Sequence, residues 1–109
     1  DRIIFSSFNH YSIVYLHQWA PEIETAPLFM EGIYMPWVYA KSIRSKGIHP
    51  HYKVCPEKLV IESQKNGIAV RPFTVNAIKD LERYFRVQTA AVFTDYPEKA
   101  KEVYLKGNF

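Results

Sequence analysis

With 109 residues, 48% of them hydrophobic and 23% charged, the chain has the composition of a single globular unit and not of a disordered tail. No apolar run approaches the roughly 18 to 20 residues that cross a membrane as a helix. The net charge of +3 is mild, and a single cysteine, Cys55, leaves no internal disulfide.

In chain order, Arg2 to Phe8 is an apolar run of strand length, with Ile3, Ile4, Phe5 and Phe8. Asn9 has the side chain of a helix cap, and Ile13, Leu16 and Ala20 then fall at i, i+3 and i+7 until Pro21 stops the helix. Ala26 to Met30 predicts a second strand. Pro36 fits the first turn of a helix whose end is marked by Lys46-Gly47. Ile48-His49-Pro50 fits either a brief strand or a loop. Pro56-Glu57 opens the next helix, with Leu59, Val60 and Ser63 on one side and Gly67 as its terminator. Ile68 to Val75 reads as a strand in spite of Pro72, and Asn76 is expected to cap a helix with Ile78, Leu81 and Phe85 on its apolar face. Ala90 to Thr94 reads as a buried strand, and Pro97-Glu98 starts a last helix that runs to Gly107.

Strands alternating with helices through short connections predict parallel pairing with right-handed crossovers, the α/β class. No linker interrupts the pattern, so residues 1–109 read as one unit without an internal boundary. The charge is uneven: residues 1–40 hold one Arg against four acids, residues 41–109 thirteen Lys and Arg against seven. The cations stand singly on helix faces among Glu57, Glu62, Asp80 and Glu82, the pattern of a solvated surface; no nucleic-acid partner is expected. Asp1-Arg2-Ile3-Ile4-Phe5 lacks the basic leader of a signal peptide, so a cytoplasmic or cytoplasm-facing location is expected.

Polar residues gather where three strands give way to helices: Ser6-Ser7-Phe8-Asn9, Phe73-Thr74-Val75-Asn76 and Thr94-Asp95-Tyr96-Pro97. In α/β barrels such carboxyl ends of strands build the active site. A ligand mouth lined by Phe8, Phe73 and Asn76 is one reading; Asn9, Asn76 and Asp95 also fit plain helix caps.

These segments, with Ala20-Pro21-Glu22, Gly47-Ile48-His49-Pro50 and Gly67-Ile68-Ala69-Val70 in the same order, resemble the C-terminal part of the glycerophosphodiester phosphodiesterase family. The resemblance covers essentially the whole chain. The family's usual Trp-Thr-Val-Asn stands here as Phe73-Thr74-Val75-Asn76, keeping a ring but not the indole. Its Gly-rich approach to the last strand is here Arg86-Val87-Gln88-Thr89-Ala90-Ala91.

The resemblance implies about half of a TIM-type (β/α)8 barrel, from an enzyme that hydrolyses glycerophosphodiesters to glycerol 3-phosphate and an alcohol. It also implies an acid–base pair of histidines and a divalent cation, Ca or Mg, held by carboxylates. Those groups come from His-Arg, Glu-x-Asp and His-Asp motifs in the first half of the family's barrel, and none of the three occurs here. The expectation is therefore no catalytic residue and no metal ligand in this chain, and no activity without the missing N-terminal half. A whole barrel takes about 250 residues. The substrate wall is expected from Ser7, Phe8, Met30, His49, Arg71, Phe73 and Asn76, with His49 at the family's His-Pro position.

Period-two alternation puts Arg71 on the same face as Phe73; if Phe73 faces the lumen, as the resemblance implies for the family's Trp, Arg71 does too, one layer deeper. A buried Arg needs an anionic partner; a Glu from the missing half is expected, leaving Arg71 under-satisfied in this chain alone. His49-x-His51 with Cys55 would give too few well-placed ligands for zinc. His10 and His17 read as surface or satisfied core histidines, and Cys55 as a small packed hydrophobe. A reading from another class is an inactive half-barrel that binds partners or itself through open sheet edges.

Overall fold

The computed structural model describes residues 3–109, so Arg2 of the first expected strand lies outside the described residues. The elements are β1 (Ile4–Ser7), α1 (His10–Trp19), β2 (Glu24–Phe29), α2 (Pro36–Ser42), β3 (Gly47–Pro50), a 3-10 turn (Tyr52–Val54), α3 (Glu57–Lys65), β4 (Ala69–Val70), α4 (Ile78–Arg86) and α5 (Pro97–Lys106). The strands pair in parallel in the order β1-β2-β3-β4, each following its predecessor through a helix. This is the expected α/β architecture, and its stepwise strand order is that of a partial barrel.

Register decides which side chains share a face. Ser6 lies opposite Ala26, Leu28 opposite His49 and Gly47 opposite Ala69. Alternation then sends Ser6, Glu24, His49 and Arg71 to the inner face and Phe29, Ile48 and Val70 to the outer one. The outer set packs with Ala40, Val60, Leu81 and Tyr84 into the apolar core beneath the helices. Tyr84 is buried, and its hydroxyl donates to the Cys55 carbonyl at 2.8 Å, which fixes α4 to the turn before α3. At the end of the chain Phe85 meets Tyr104 edge-on at 5.3 Å, holding α5 against α4.

Several boundaries differ from expectation, each for a local reason. Asn9 does cap α1, its carboxamide oxygen accepting from the amides of Tyr11 and Ser12. The helix from Pro36 ends at Ser42, short of Lys46-Gly47, because Arg44 takes a left-handed φ of 63° and the Ser45 amide turns back to the Ala40 carbonyl. Gly47 instead opens β3, so Ile48-His49-Pro50 is a strand, buried throughout. The run Ile68 to Val75 forms a ladder only at Ala69–Val70, with one isolated bridge between His51 and Phe73. Pro72, which has no N–H, lies between the two.

Ala90 to Thr94 is not a buried strand. The Phe93 amide donates to the Pro72 carbonyl at 2.9 Å and its carbonyl accepts from Val75 at 2.7 Å. Three residues thus separate bonds that a regular parallel ladder spaces by two, so the segment lies along the sheet without entering it. Phe93 stays 45% exposed. Among the described residues no helix is long and apolar enough to cross a membrane.

Candidate functional site

The inner face holds a buried polar chain whose direction chemistry dictates. Arg71 pairs with Glu24 at 3.1 Å, both side chains only 11% exposed. Its other terminal nitrogen lies 3.2 Å from Nε2 of the buried His49. A guanidinium can only donate, so Nε2 accepts and the ring proton sits on Nδ1. Nδ1 then donates to Ser6 Oγ at 2.8 Å, and the Ser6 hydroxyl donates to the Ala26 carbonyl at 2.9 Å. The side chains of this network are Ser6 from β1, Glu24 from β2, His49 from β3 and Arg71 just past β4.

This corrects the expectation for Arg71. Its carboxylate partner comes from β2 of the same chain, and Arg71 is satisfied without any other part of a barrel. Burial holds the His49 pKa down at about 4, helped by the Arg71 charge and opposed by Glu24. His49 is therefore neutral at physiological pH. Gly47 makes room for the arrangement: a Cβ there would lie 2.6 Å from Arg71 Nη1.

Above this layer, at the carboxyl ends of the strands, stand aromatic rings. Phe8 meets Phe73 edge-on at 5.8 Å, and Phe73 meets His51 edge-on at 5.4 Å. His49, one layer down, has Phe93 edge-on at 5.0 Å. Met30 follows β2 at the same end of the sheet and is 56% exposed. The Ser7 hydroxyl accepts from the Asn9 amide at 3.0 Å, within the turn that starts α1.

Asn76 and Asp95 do not cap helices. The caps of α4 and α5 are Ala77 and Tyr96, neither with a side-chain bond. Asn76 instead donates to Asp95 Oδ2 at 2.9 Å and accepts, through Oδ1, from Thr94 Oγ1 and the Asp95 amide at 3.0 Å each. The two polar strand-end segments are thus clasped to each other across the rim. Sequence spacing cannot show such a clasp, because its halves are 19 residues apart.

Three contributors escaped the sequence reading. Ser6 and Glu24 lie on the inner face by simple alternation, but the strand expected from Ala26 begins two residues earlier, at Glu24. Gln64 of α3 accepts from the Val70 and Ala90 amides and donates to the Gln88 carbonyl, closing the far edge of β4. No local sequence signal marks it.

His10, His51 and the cysteine have structural surroundings. His10 donates from Nε2 to the Leu28 carbonyl at 2.8 Å and accepts from the Tyr39 hydroxyl. His51 Nδ1 accepts from the Lys53 amide at 3.1 Å. Cys55 is buried, and burial pushes its thiol up to about 11. Among the described residues no three His, Cys, Asp or Glu side chains converge as a cation site would require. By themselves the described residues do not assemble a site for the divalent cation that the resemblance implies.

A parallel four-stranded sheet in stepwise order, with aromatic and polar side chains at the carboxyl ends of its strands, is the architecture of part of an α/β barrel. The model of the glycerophosphoryl diester phosphodiesterase family matches residues 1–99, and the chain belongs to that family. It is 35% identical to a glycerophosphodiester phosphodiesterase of Bacillus altitudinis, covering 94% of this chain and 43% of the relative. It is also 35% identical to one of Caldanaerobacter subterraneus, covering 98% and 44%. A phosphodiesterase of Oleispira antarctica, solved in complex with the product sn-glycerol-3-phosphate, superposes with a TM-score of 0.84 at 26% identity, over 94% of this chain and 41% of that one. The chain spans less than half the length of the curated relatives it matches.

Proposed function

We propose that this chain is the C-terminal portion of a glycerophosphodiester phosphodiesterase that yields glycerol 3-phosphate and an alcohol, closing the barrel and forming the substrate wall. The observation that carries the reading is the pairing of Phe8 with Phe73 at the mouth, directly above the buried Arg71–His49 layer. Rings at a barrel mouth with a few polar groups beside them suit the glycerol carbons and hydroxyls of such a substrate. The product bound to the Oleispira antarctica neighbour supports the same ligand class.

Within this reading Phe8, Phe73 and Met30 supply apolar contact, Ser7 and Asn76 polar contact at the rim. His49 and Arg71 are the floor: His49, neutral and tied at both nitrogens, orients and does not transfer protons, and Arg71 holds it in that tautomer. A general acid and base, and a cation of Ca or Mg that neutralises the phosphate, belong to the portion outside this chain. The chain alone is therefore inactive. Detectable hydrolysis of glycerophosphocholine by the purified 109 residues with added Mg²⁺ or Ca²⁺ would falsify that. In a complete barrel joining this chain to the preceding portion of a relative, Phe73→Ala should raise KM at least several-fold; unchanged KM removes Phe73 from the wall.

A further inference from the structure

We propose that His51 is a specificity-determining contact of the mouth, donating from Nε2 to a hydroxyl of the glycerol moiety. This role rests on the substrate-wall reading above and deepens it.

Gly47, His49 and His51 alternate onto the inner face of the sheet, as Arg71 and Phe73 do beside them. His51 therefore stands one layer above His49, at the mouth, just as Phe73 stands above Arg71. Its place does not depend on an edge of the sheet. On one side the His51 amide donates to the Phe29 carbonyl at 2.9 Å; on the other the Tyr52 amide donates to the Phe73 carbonyl at 2.7 Å. The ring is held as well. It stacks on Tyr52 with centroids 4.8 Å apart and meets Phe73 edge-on at 5.4 Å.

The two histidines differ in what their nitrogens do. Both nitrogens of His49 are engaged, one with Ser6 and one with Arg71. His51 uses one: Nδ1 accepts from the Lys53 amide at 3.1 Å and so caps the 3-10 turn. A ring nitrogen that accepts carries no proton, so the proton of the ring sits on Nε2. Among the described residues Nε2 has no hydrogen-bond partner, and the ring is only partly buried. The result is one N–H donor, fixed in place and uncharged, next to the Phe8–Phe73 pair. A ring already immobilised loses little conformational freedom when it binds. It cannot take a charge to meet the phosphate without giving up the Lys53 amide, since a protonated Nδ1 no longer accepts. A neutral donor beside apolar rings matches a hydroxyl on a short carbon chain. The rings alone would accept any three-carbon chain; the donor distinguishes glycerol from a chain that lacks a hydroxyl.

The test is binding, in the complete barrel that joins this chain to the preceding portion of the Bacillus altitudinis relative. Calorimetry compares glycerol 3-phosphate with its two deoxy analogues, each lacking one hydroxyl. One analogue is expected to bind about two- to tenfold more weakly, the worth of one neutral hydrogen bond. His51→Asn keeps an acceptor for the Lys53 amide but falls short of the Nε2 position. It should weaken glycerol 3-phosphate by the same factor and leave that analogue unchanged. His51→Gln, whose amide nitrogen reaches the Nε2 position, should recover most of the affinity. Long-range nitrogen NMR of labelled histidine should show His51 protonated at Nε2, with that signal moving when glycerol 3-phosphate is added. Equal affinity of the unsubstituted barrel for all three ligands overturns the proposal. So does equal weakening of all three by His51→Asn, the mark of a merely structural role. Protonation at Nδ1, an unmoved Nε2 signal, or His51→Gln no better than His51→Asn does the same. Each of these outcomes leaves the substrate-wall reading standing. A barrel that does not assemble, or does not bind glycerol 3-phosphate, overturns both.

Discussion

His49 makes the stability of this fold depend on pH in a direction that can be worked out. Its pKa is held at about 4 in the folded chain, against an ordinary 6.5 when unfolded. Between these values the unfolded chain takes up a proton that the folded chain refuses, because a charged imidazole would sit buried beside the Arg71 guanidinium. The stabilising contribution is complete above pH 6.5 and is lost as pH falls toward 4. With about 1.36 kcal/mol per unit, the loss is about 2 kcal/mol by about pH 5 and about 3 kcal/mol by about pH 4. Urea unfolding at a series of pH values measures the total slope, to which every carboxylate contributes. The His49→Gln variant isolates the histidine, since its amide can accept from Arg71 and donate to Ser6 without titrating in this range. The difference between the two curves should shrink by those amounts on acidification. Parallel curves, or an NMR titration of the His49 ring centred near 6.5, would refute the reasoning.

Three further variants probe the same layer and the rim. Arg71→Leu removes the ion pair to Glu24 and the donor to His49, and should destabilise by about 3 kcal/mol in urea unfolding. The His49 pKa should rise in that variant, since one of the causes lowering it is gone; an unchanged pKa would disconnect the two residues. Gly47→Ala places a Cβ 2.6 Å from Arg71 Nη1 and 3.2 Å from the Ala69 carbonyl, so a loss of about 1–3 kcal/mol is expected in thermal unfolding. Asn76→Ala opens the clasp to Thr94 and Asp95 and should speed hydrogen exchange at the Asp95 amide, which Asn76 alone is seen to accept from. Exchange at the wild-type rate would mean the rim is held by something else.

The sequence by itself determined the fold class and the family. Apolar runs of strand length, helix stops at Pro21 and Gly67 and six ordered segments are local signals, and the parallel sheet and the family match agree with them. It also placed Arg71 and Phe73 on one face, because alternation depends only on the pleat. It did not find where polar groups go for their partners. Arg71 reaches Glu24 across 47 residues, His49 reaches Ser6 across 43, and Asn76 reaches Asp95 across 19. Strand register, not propensity, sets the first two pairings, and register is fixed only when the outer faces of all four strands pack beneath their helices; the third is set by the bonds of Phe93 to Pro72 and Val75, which lay the two rim segments side by side. That is why Asn76 and Asp95, which by local spacing suit helix caps, clasp each other instead. Register is why Arg71, which in sequence lacks any nearby acid, lies against a carboxylate two strands away.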